Sequence, residues 1–228
     1  MTLAFTRTVS FGRLVGVALP GEDDDAGVAT LAAALPSAER AHALTLPPAR
    51  RVTWAGGRVA MRAALAELGA VAPEMISSTP RGAPALPAEL LGSIAHKRTV
   101  AVALAARAAG DVTLGVDVEI ERAPRVDISE RVLTDDERRR VDALTPRERA
   151  REVLALFAAK EALYKGLDPW LGRYVSFQEV ELARDDDGAR VATFASRAGE
   201  PSFVLEVHEE EAPAGHILMT ARVHRRSG

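Results

Sequence analysis

Twice along this chain a stretch of helical spacing gives way to stretches that alternate, and that order limits the fold more than any single motif. In Ala49–Leu68 the apolar residues Val52, Val59, Leu65 and Leu68, with Trp54, recur at helical spacing, and Gly69 supplies a stop. A proline- and glycine-rich loop follows over 73–92, carrying Pro73, Pro80, Gly82, Pro84, Pro87 and Gly92. Ser93–Ala106 then reads as a strand, with Val100, Val102 and Leu104 in alternation, and a turn at Gly110-Asp111 leads to a second strand, Val112–Ile120. The pair reads as a hairpin. The second half repeats the order. A polar helical region, Ile128–Leu144, precedes a helix that starts at Pro146 and runs through Leu154, Phe157 and Tyr164 to Gly166. Strands are expected at Tyr174–Leu182, Arg190–Ser196, Ser202–His208 and His216–Val223, with a tight turn at Asp187-Gly188. Helix followed by strands in each half points to a duplicated architecture with a boundary near residue 110. Ahead of this, residues 1–35 read as strand material followed by the acidic turn 21–25, and Ser37–Leu46 as a short helix ended by Pro47-Pro48. Glu209–Glu211 reads as a solvated loop.

The chain has 228 residues, long enough to bury a proper core, but only 4% are aromatic, so aliphatic side chains and alanine must build it. Net charge is −3, which gives no global basic field for nucleic acid. The charge is uneven: nine basic residues face three acidic ones from Arg40 to Arg107, whereas Asp111–Glu121 holds four acids and no base. That division suits a polyanion held beside a divalent cation. With no cysteine, disulfides, thiolate nucleophiles and cysteine-ligated metals are excluded. No apolar run reaches the roughly 18 residues of a membrane span, and no signal-peptide pattern opens the chain. The expected location is the cytoplasm.

Only three of the 29 basic residues are lysines, and two of them, Lys160 and Lys165, share the segment Phe157-Ala-Ala-Lys-Glu-Ala-Leu-Tyr-Lys165. In a chain this rich in arginine, a lysine marks a place where a compact ammonium is wanted. Glu161 and Lys165, four apart, share a helical face, with Lys160 about a third of a turn round. A surface helix carrying a Glu–Lys pair would read the same way. In Leu114–Ile120, alternation puts Leu114, Val116, Val118 and Ile120 on one face and Asp117 and Glu119 on the other. Two carboxylates so placed suit a hard cation such as Mg²⁺, and equally a strand with one wet face. His96, after Ser93-Ile-Ala, opens on a loop and can donate a ring N–H to phosphate. Arg50, Arg51, Arg58 and Arg62 lie on or before one helix, with Arg81 in the loop beyond, and guanidinium matches phosphate geometry. Taken together, the two acidic segments and the lysines point to magnesium-assisted chemistry on a phosphate.

In order, six parts of the chain resemble the 4'-phosphopantetheinyl transferases of the larger, single-chain kind that activate siderophore, nonribosomal peptide and polyketide synthases. They are Arg50…Gly57-Arg58…Arg62-Ala-Ala-Leu…Leu-Gly69, Arg81-Gly-Ala-Pro84, Gly92-Ser-Ile-Ala-His96, Gly115-Val-Asp-Val-Glu119, the lysine segment, and Gly172-Arg-Tyr-Val-Ser-Phe177. Ala85-Leu86-Pro87 stands where many relatives place an aromatic before the proline, and Ala95 where serine or threonine is commoner.

The resemblance implies an α+β fold of two similar halves, each a small antiparallel sheet packed on helices, acting as a monomer with the site in the cleft between. It implies coenzyme A as co-substrate, with Arg50 and Arg58 at the nucleotide end, and Arg81 and His96 at the phosphates. Ser93 would line the same pocket, Lys160 and Lys165 would lie beside the pyrophosphate, and Arg62 would belong to the same set. Asp117, Glu119 and Glu161 would hold Mg²⁺, or Mn²⁺. The implied reaction moves 4'-phosphopantetheine to a serine of an acyl or peptidyl carrier protein, with Glu161 as base and Lys165 at the leaving phosphate. The expected division of labour is nucleotide binding by residues 1–110 and metal binding and catalysis by residues 111–228. Two other readings use the same groups: a Mg²⁺-dependent hydrolase of the coenzyme A pyrophosphate, and a binding module without turnover.

Overall fold

A computed structural model describes residues 3–21, 23–122 and 126–226, so Glu22 of the acidic turn lies outside the described residues. The chain divides into two compact units, residues 1–109 and 110–228.

The first unit opens with strands β1 (Leu3–Val9) and β2 (Gly12–Ala18). Three helices follow: α1 (Asp25–Ala33), α2 (Ser37–Thr45) and α3 (Pro48–Glu67). Strands β3 (Leu90–His96) and β4 (Val100–Arg107) close the unit, and the antiparallel sheet runs β1-β2-β4-β3. Helix α1 was not legible in the alternation. Asp24 caps it, accepting from Gly27 N at 2.9 Å, and its alanine-rich body has strong helix propensity. Pro48 starts α3, where a missing N–H costs nothing, and Gly69 leaves it at φ 63°. Within α3, Gly56 and Gly57 let the helix press on the sheet. A Cβ there would lie 2.2 Å from a Leu19 methyl and 2.8 Å from an Ile94 methyl. The stripe Val52, Val59, Ala60, Met61, Ala64 and Leu65 is buried on Val15, Val17, Ala103 and Ala105.

Ser93–Ala106 is two strands rather than one. Lys97 N donates to Val100 O at 2.8 Å and closes a tight turn, and His96 pairs with Ala101. Nor does Val112–Ile120 form a hairpin with what precedes it. It is β5 (Val112–Ile120), and its nine residues pair from Val112↔His224 to Ile120↔His216 with β9 (His216–Arg225). The glycine at 110, φ 65°, marks the passage from one unit to the next.

In the second unit α4 (Ser129–Val132), α5 (Asp135–Asp142) and α6 (Pro146–Leu171) follow β5. A 3-10 turn, Phe177–Glu179, leads to β6 (Val180–Arg184), β7 (Arg190–Phe194), β8 (Phe203–Glu210) and β9, in the sheet order β5-β9-β8-β7-β6. The polar region expected as one helix is two, because the buried Leu133 turns inward and Thr134 begins a new helix with a capping box to Glu137. Glu209–Glu211 is not a loop throughout. Glu209 and Glu210 belong to β8, where Glu209 pairs with Arg151 and Glu210 accepts from Thr220 Oγ1 at 2.7 Å.

The expected α+β class holds, with one antiparallel sheet on helices in each unit. Their topologies share a theme: the strand before the long helix pairs with the last strand of its unit, β2 with β4 and β5 with β9. Among the described residues no helix is long and apolar enough to cross a membrane.

Candidate active site

The acidic half of the site is built where α6 lies on β5. Gly115 makes the approach possible, since a Cβ there would stand 1.8 Å from the carbonyl oxygen of Ala162. With the strand and helix backbones this close, Asp117 and Glu119 on β5 meet the face of α6 that carries Glu161 and Lys165. Lys165 Nζ donates to Asp117 Oδ1 at 2.9 Å and to Val116 O at 2.8 Å. Glu161, one turn earlier, is half-buried on that face.

Asp117 and Glu119 are only 7% and 8% exposed. Asp117 Oδ2 is buried and accepts no hydrogen bond. A buried carboxylate oxygen left so is costly, and a cation beside it would remove the cost. Among the described residues no three carboxylate or imidazole side chains stand gathered as a metal cluster. Carboxylate oxygens are donors that suit Mg²⁺ or Mn²⁺, and Asp117 Oδ2 is the buried oxygen that such a cation would satisfy.

Lys160 stands apart from this group. Its side chain is 1% exposed, and Nζ donates to Val132 O (2.9 Å), Glu137 Oε2 (2.6 Å) and Phe177 O (3.0 Å). An ammonium has three N–H donors, and all three are spent inside the second unit. Burial pushes this ammonium below its ordinary pKa, against the pull of Glu137. The structure thus places Lys160, expected beside the pyrophosphate, in a buried pair with Glu137.

In the first unit the arginines divide. Arg50 is exposed on the first turn of α3. Arg58 is buried, its Nε donating to Ile76 O (2.7 Å) and Nη2 to Ser78 Oγ (2.9 Å), with its guanidinium 4.7 Å from the centre of the Trp54 ring. Desolvation lowers its pKa. Arg62 donates to Glu39 Oε2 (2.7 Å), Pro73 O (2.8 Å) and Glu74 O (2.9 Å). These three bonds tie Arg62 into the fold, and Arg58 has committed two of its nitrogens in the same way. Together they pin the loop 73–84, where Thr79 N bonds to Ala83 O (2.8 Å) around a turn that displays Arg81. Ser93 and His96 do not share a side of β3: three residues apart, they fall on opposite faces, with His96 on the face of Gly92 and Ile94, which packs on α3.

The sixth motif also has a structural reason. Gly172 ends α6 at φ 60°, and Arg173 clamps the chain after it, reaching Glu200 and Glu179. This pair holds the Glu200 carboxyl down at about 2.

Two carboxylates were missed in the sequence, Glu39 and Glu137, both fully buried. For Glu137 a signal was present, the Thr134-x-x-Glu137 box; for Glu39 nothing local announces it.

The model of the 4'-phosphopantetheinyl transferase superfamily matches residues 113–221, and that of the 4'-phosphopantetheinyl transferase N-terminal domain matches residues 38–106. The 4'-phosphopantetheinyl transferase Svp of Streptomyces mobaraensis is 34% identical over 168 residues, 73% of this chain and 67% of Svp. The chain belongs to the 4'-phosphopantetheinyl transferase superfamily. With both models matched in sequence, this transferase is of the larger single-chain type. A holo-[acyl-carrier-protein] synthase of Geobacillus kaustophilus is 32% identical over 114 residues, 47% of the transferase and 88% of the synthase. Among solved structures, a holo-(acyl-carrier-protein) synthase from Bacillus anthracis in complex with CoA (3',5'-ADP) overlaps half of the transferase and 96% of its own chain, with 24% identity and a TM-score of 0.41.

Proposed function

We propose that this transferase moves the 4'-phosphopantetheine group of coenzyme A to a serine of an apo acyl or peptidyl carrier protein and releases adenosine 3',5'-bisphosphate. Family membership supports the reaction class. The observation that carries the site is Asp117, buried on β5 with Oδ1 on Lys165 and Oδ2 without a hydrogen bond.

In this reading the serine oxygen bonds to the β-phosphorus while the bond from that phosphorus to the oxygen of the departing α-phosphate breaks. Glu161 takes the serine proton. Lys165, fixed by Asp117 and Val116 O, faces the negative charge that gathers on the leaving phosphate. Bound Mg²⁺ or Mn²⁺ supplies withdrawal of charge from the pyrophosphate oxygens, and Asp117, Glu119 and Glu161 are the carboxylates that would hold it. Arg50 and Arg81, both exposed, and His96 take the nucleotide and phosphates, while Arg58 supports the loop that carries Arg81. Positioning and charge neutralisation account for the rate, as in other phosphoryl transfers.

The test is the intact mass of an apo-carrier after incubation with the protein, coenzyme A and Mg²⁺. The expected result is a gain of one phosphopantetheine that disappears with chelator. An unchanged carrier with coenzyme A consumed would establish hydrolysis instead, and coenzyme A bound but intact would leave only a binding module.

A further inference from the structure

The two units carry the same buried device, built from different residues. In the first, Glu39 on α2 is fully buried; its Oε2 accepts from Arg62 of α3 at 2.7 Å and its Oε1 from Ile76 N at 2.8 Å. In the second, Glu137 on α5 is fully buried; its Oε2 accepts from Lys160 of α6 at 2.6 Å and its Oε1 from Leu182 N at 2.8 Å. In both, the cation follows the carboxylate by 23 residues. Each device ties a short helix, a long helix and the backbone beyond that helix to one carboxylate. In both units the cation also donates to backbone carbonyls: Arg62 to Pro73 and Glu74, Lys160 to Val132 and Phe177.

The device serves architecture first, since the first unit has it with alanine, Ala63, after the cation. In the second unit the residue after the cation is Glu161. Resting on the function proposed above, we infer that Lys160 is a positioning residue, whose buried pair with Glu137 fixes the roll of α6 and so presents Glu161 and Lys165 to Asp117.

Three acceptors from three segments meet Nζ: the end of α4, the body of α5 and the 3-10 turn. A helix residue and its successor differ by about 100° around the axis. Holding Lys160 towards those segments therefore holds Glu161 away from them, on the side of β5. Pulling Lys160 out towards a phosphate would strand Glu137 as a buried, uncompensated anion, which is strongly unfavourable. Exchanging the two residues would not restore the device, because Val132 O and Phe177 O need a donor and Leu182 N needs an acceptor.

The first test uses the native chain, whose three lysines, Lys97, Lys160 and Lys165, make amine acetylation followed by peptide mass spectrometry readable residue by residue. Lys160 should stay unmodified in the folded protein, with and without coenzyme A, and react only after denaturation. Lys165 should react in the free protein and be protected by coenzyme A. Acetylation of Lys160 in the folded free protein overturns the inference. Failure of coenzyme A to protect Lys165 would instead weaken the proposed function and leave the Lys160 result standing.

The second test is the double variant Lys160→Met, Glu137→Gln, which removes both charges while the new amide oxygen still accepts from Leu182 N. The expected split is a kcat lower by about a hundredfold, the scale of an ångström of misplacement, with KM for coenzyme A within about twofold of the native value. Coenzyme A affinity measured in chelator should also be kept. A raised KM with kcat retained makes Lys160 a ligand and overturns the inference, as does an unchanged kcat. If the double variant does not fold, the acetylation pattern of the native chain decides.

Discussion

Asp117→Asn should lower the transfer rate by roughly a thousandfold while leaving stability within about 1 kcal/mol of the native value, or above it. The first half follows from the role proposed for Asp117, a carboxylate with one buried oxygen that accepts no hydrogen bond. Losing the charge would weaken the hold on the cation proposed here, and with it several kcal/mol of stabilisation of the pyrophosphate, where about 1.4 kcal/mol is a factor of ten. The second half follows from the same atom. Oδ2 is buried with no hydrogen bond, so the fold draws on only one of the two carboxylate oxygens, the one that accepts from Lys165. Asparagine keeps an oxygen for Lys165 and removes the negative charge. The expected change in urea unfolding is within about 1 kcal/mol of zero, or a gain, as at sites that trade stability for activity. Carrier mass and urea unfolding measured on the same preparation decide it. Native turnover in Asp117→Asn would sink the metal assignment. A loss of several kcal/mol in stability would show that the carboxylate serves the fold.

How much of this was legible in sequence depended on whether the deciding contact was local. The strand Val112–Ile120 was readable because its apolar residues alternate with its D-x-E carboxylates, but the face expected to be wet is buried as well. The long helices α3 and α6 were readable from their spacing, and α6 from its proline start, although α6 runs past the expected end at Gly166 to Leu171. Lys165 stands beside the acidic strand because its partner, Asp117, lies on the strand that the same motif implied.

Lys160 does not, because its role is set by Glu137, Val132 and Phe177, and no local pattern says that a lysine beside a reactive glutamate points the other way. Arg58 and Arg62 are tied into the fold by contacts that are just as distant in sequence. Guanidinium suits carbonyl oxygens as well as phosphate, and the loop carbonyls of Pro73, Glu74 and Ile76 reached them first. The hairpin was misplaced because Lys97-Arg98-Thr99 is a turn without glycine, whereas Gly110-Asp111 looks like a turn and joins two units.

Gly115→Ala should damage both fold and function, and it tests the geometry on which the site rests. In an ordinary strand this exchange is mildly favourable, since glycine weakens strands. Here the added methyl would lie 1.8 Å from Ala162 O and 2.7 Å from Ala162 C. Both are backbone atoms of a 26-residue helix, so no rotamer change relieves the clash. Either α6 lifts from the sheet or β5 slips against β9, and β5 is held along all nine of its residues. Overpacking against rigid backbone costs about 3 kcal/mol or more. Lifting α6 would also carry Glu161 and Lys165 away from Asp117 and Glu119, and an ångström of such displacement is worth about a hundredfold in rate. Gly172→Ala is the control. Gly172 sits at φ 60° with no atom within 4 Å of a new Cβ, so only the left-handed backbone is penalised, by about 1–2 kcal/mol. It should therefore lose some stability and keep its transfer rate. Urea unfolding and carrier modification of the two variants, side by side, separate a general glycine effect from the contact between β5 and α6. A Gly115→Ala protein as stable and as active as the native chain would mean that strand and helix do not approach through that glycine, and the contact of Lys165 with Asp117 would fall with it.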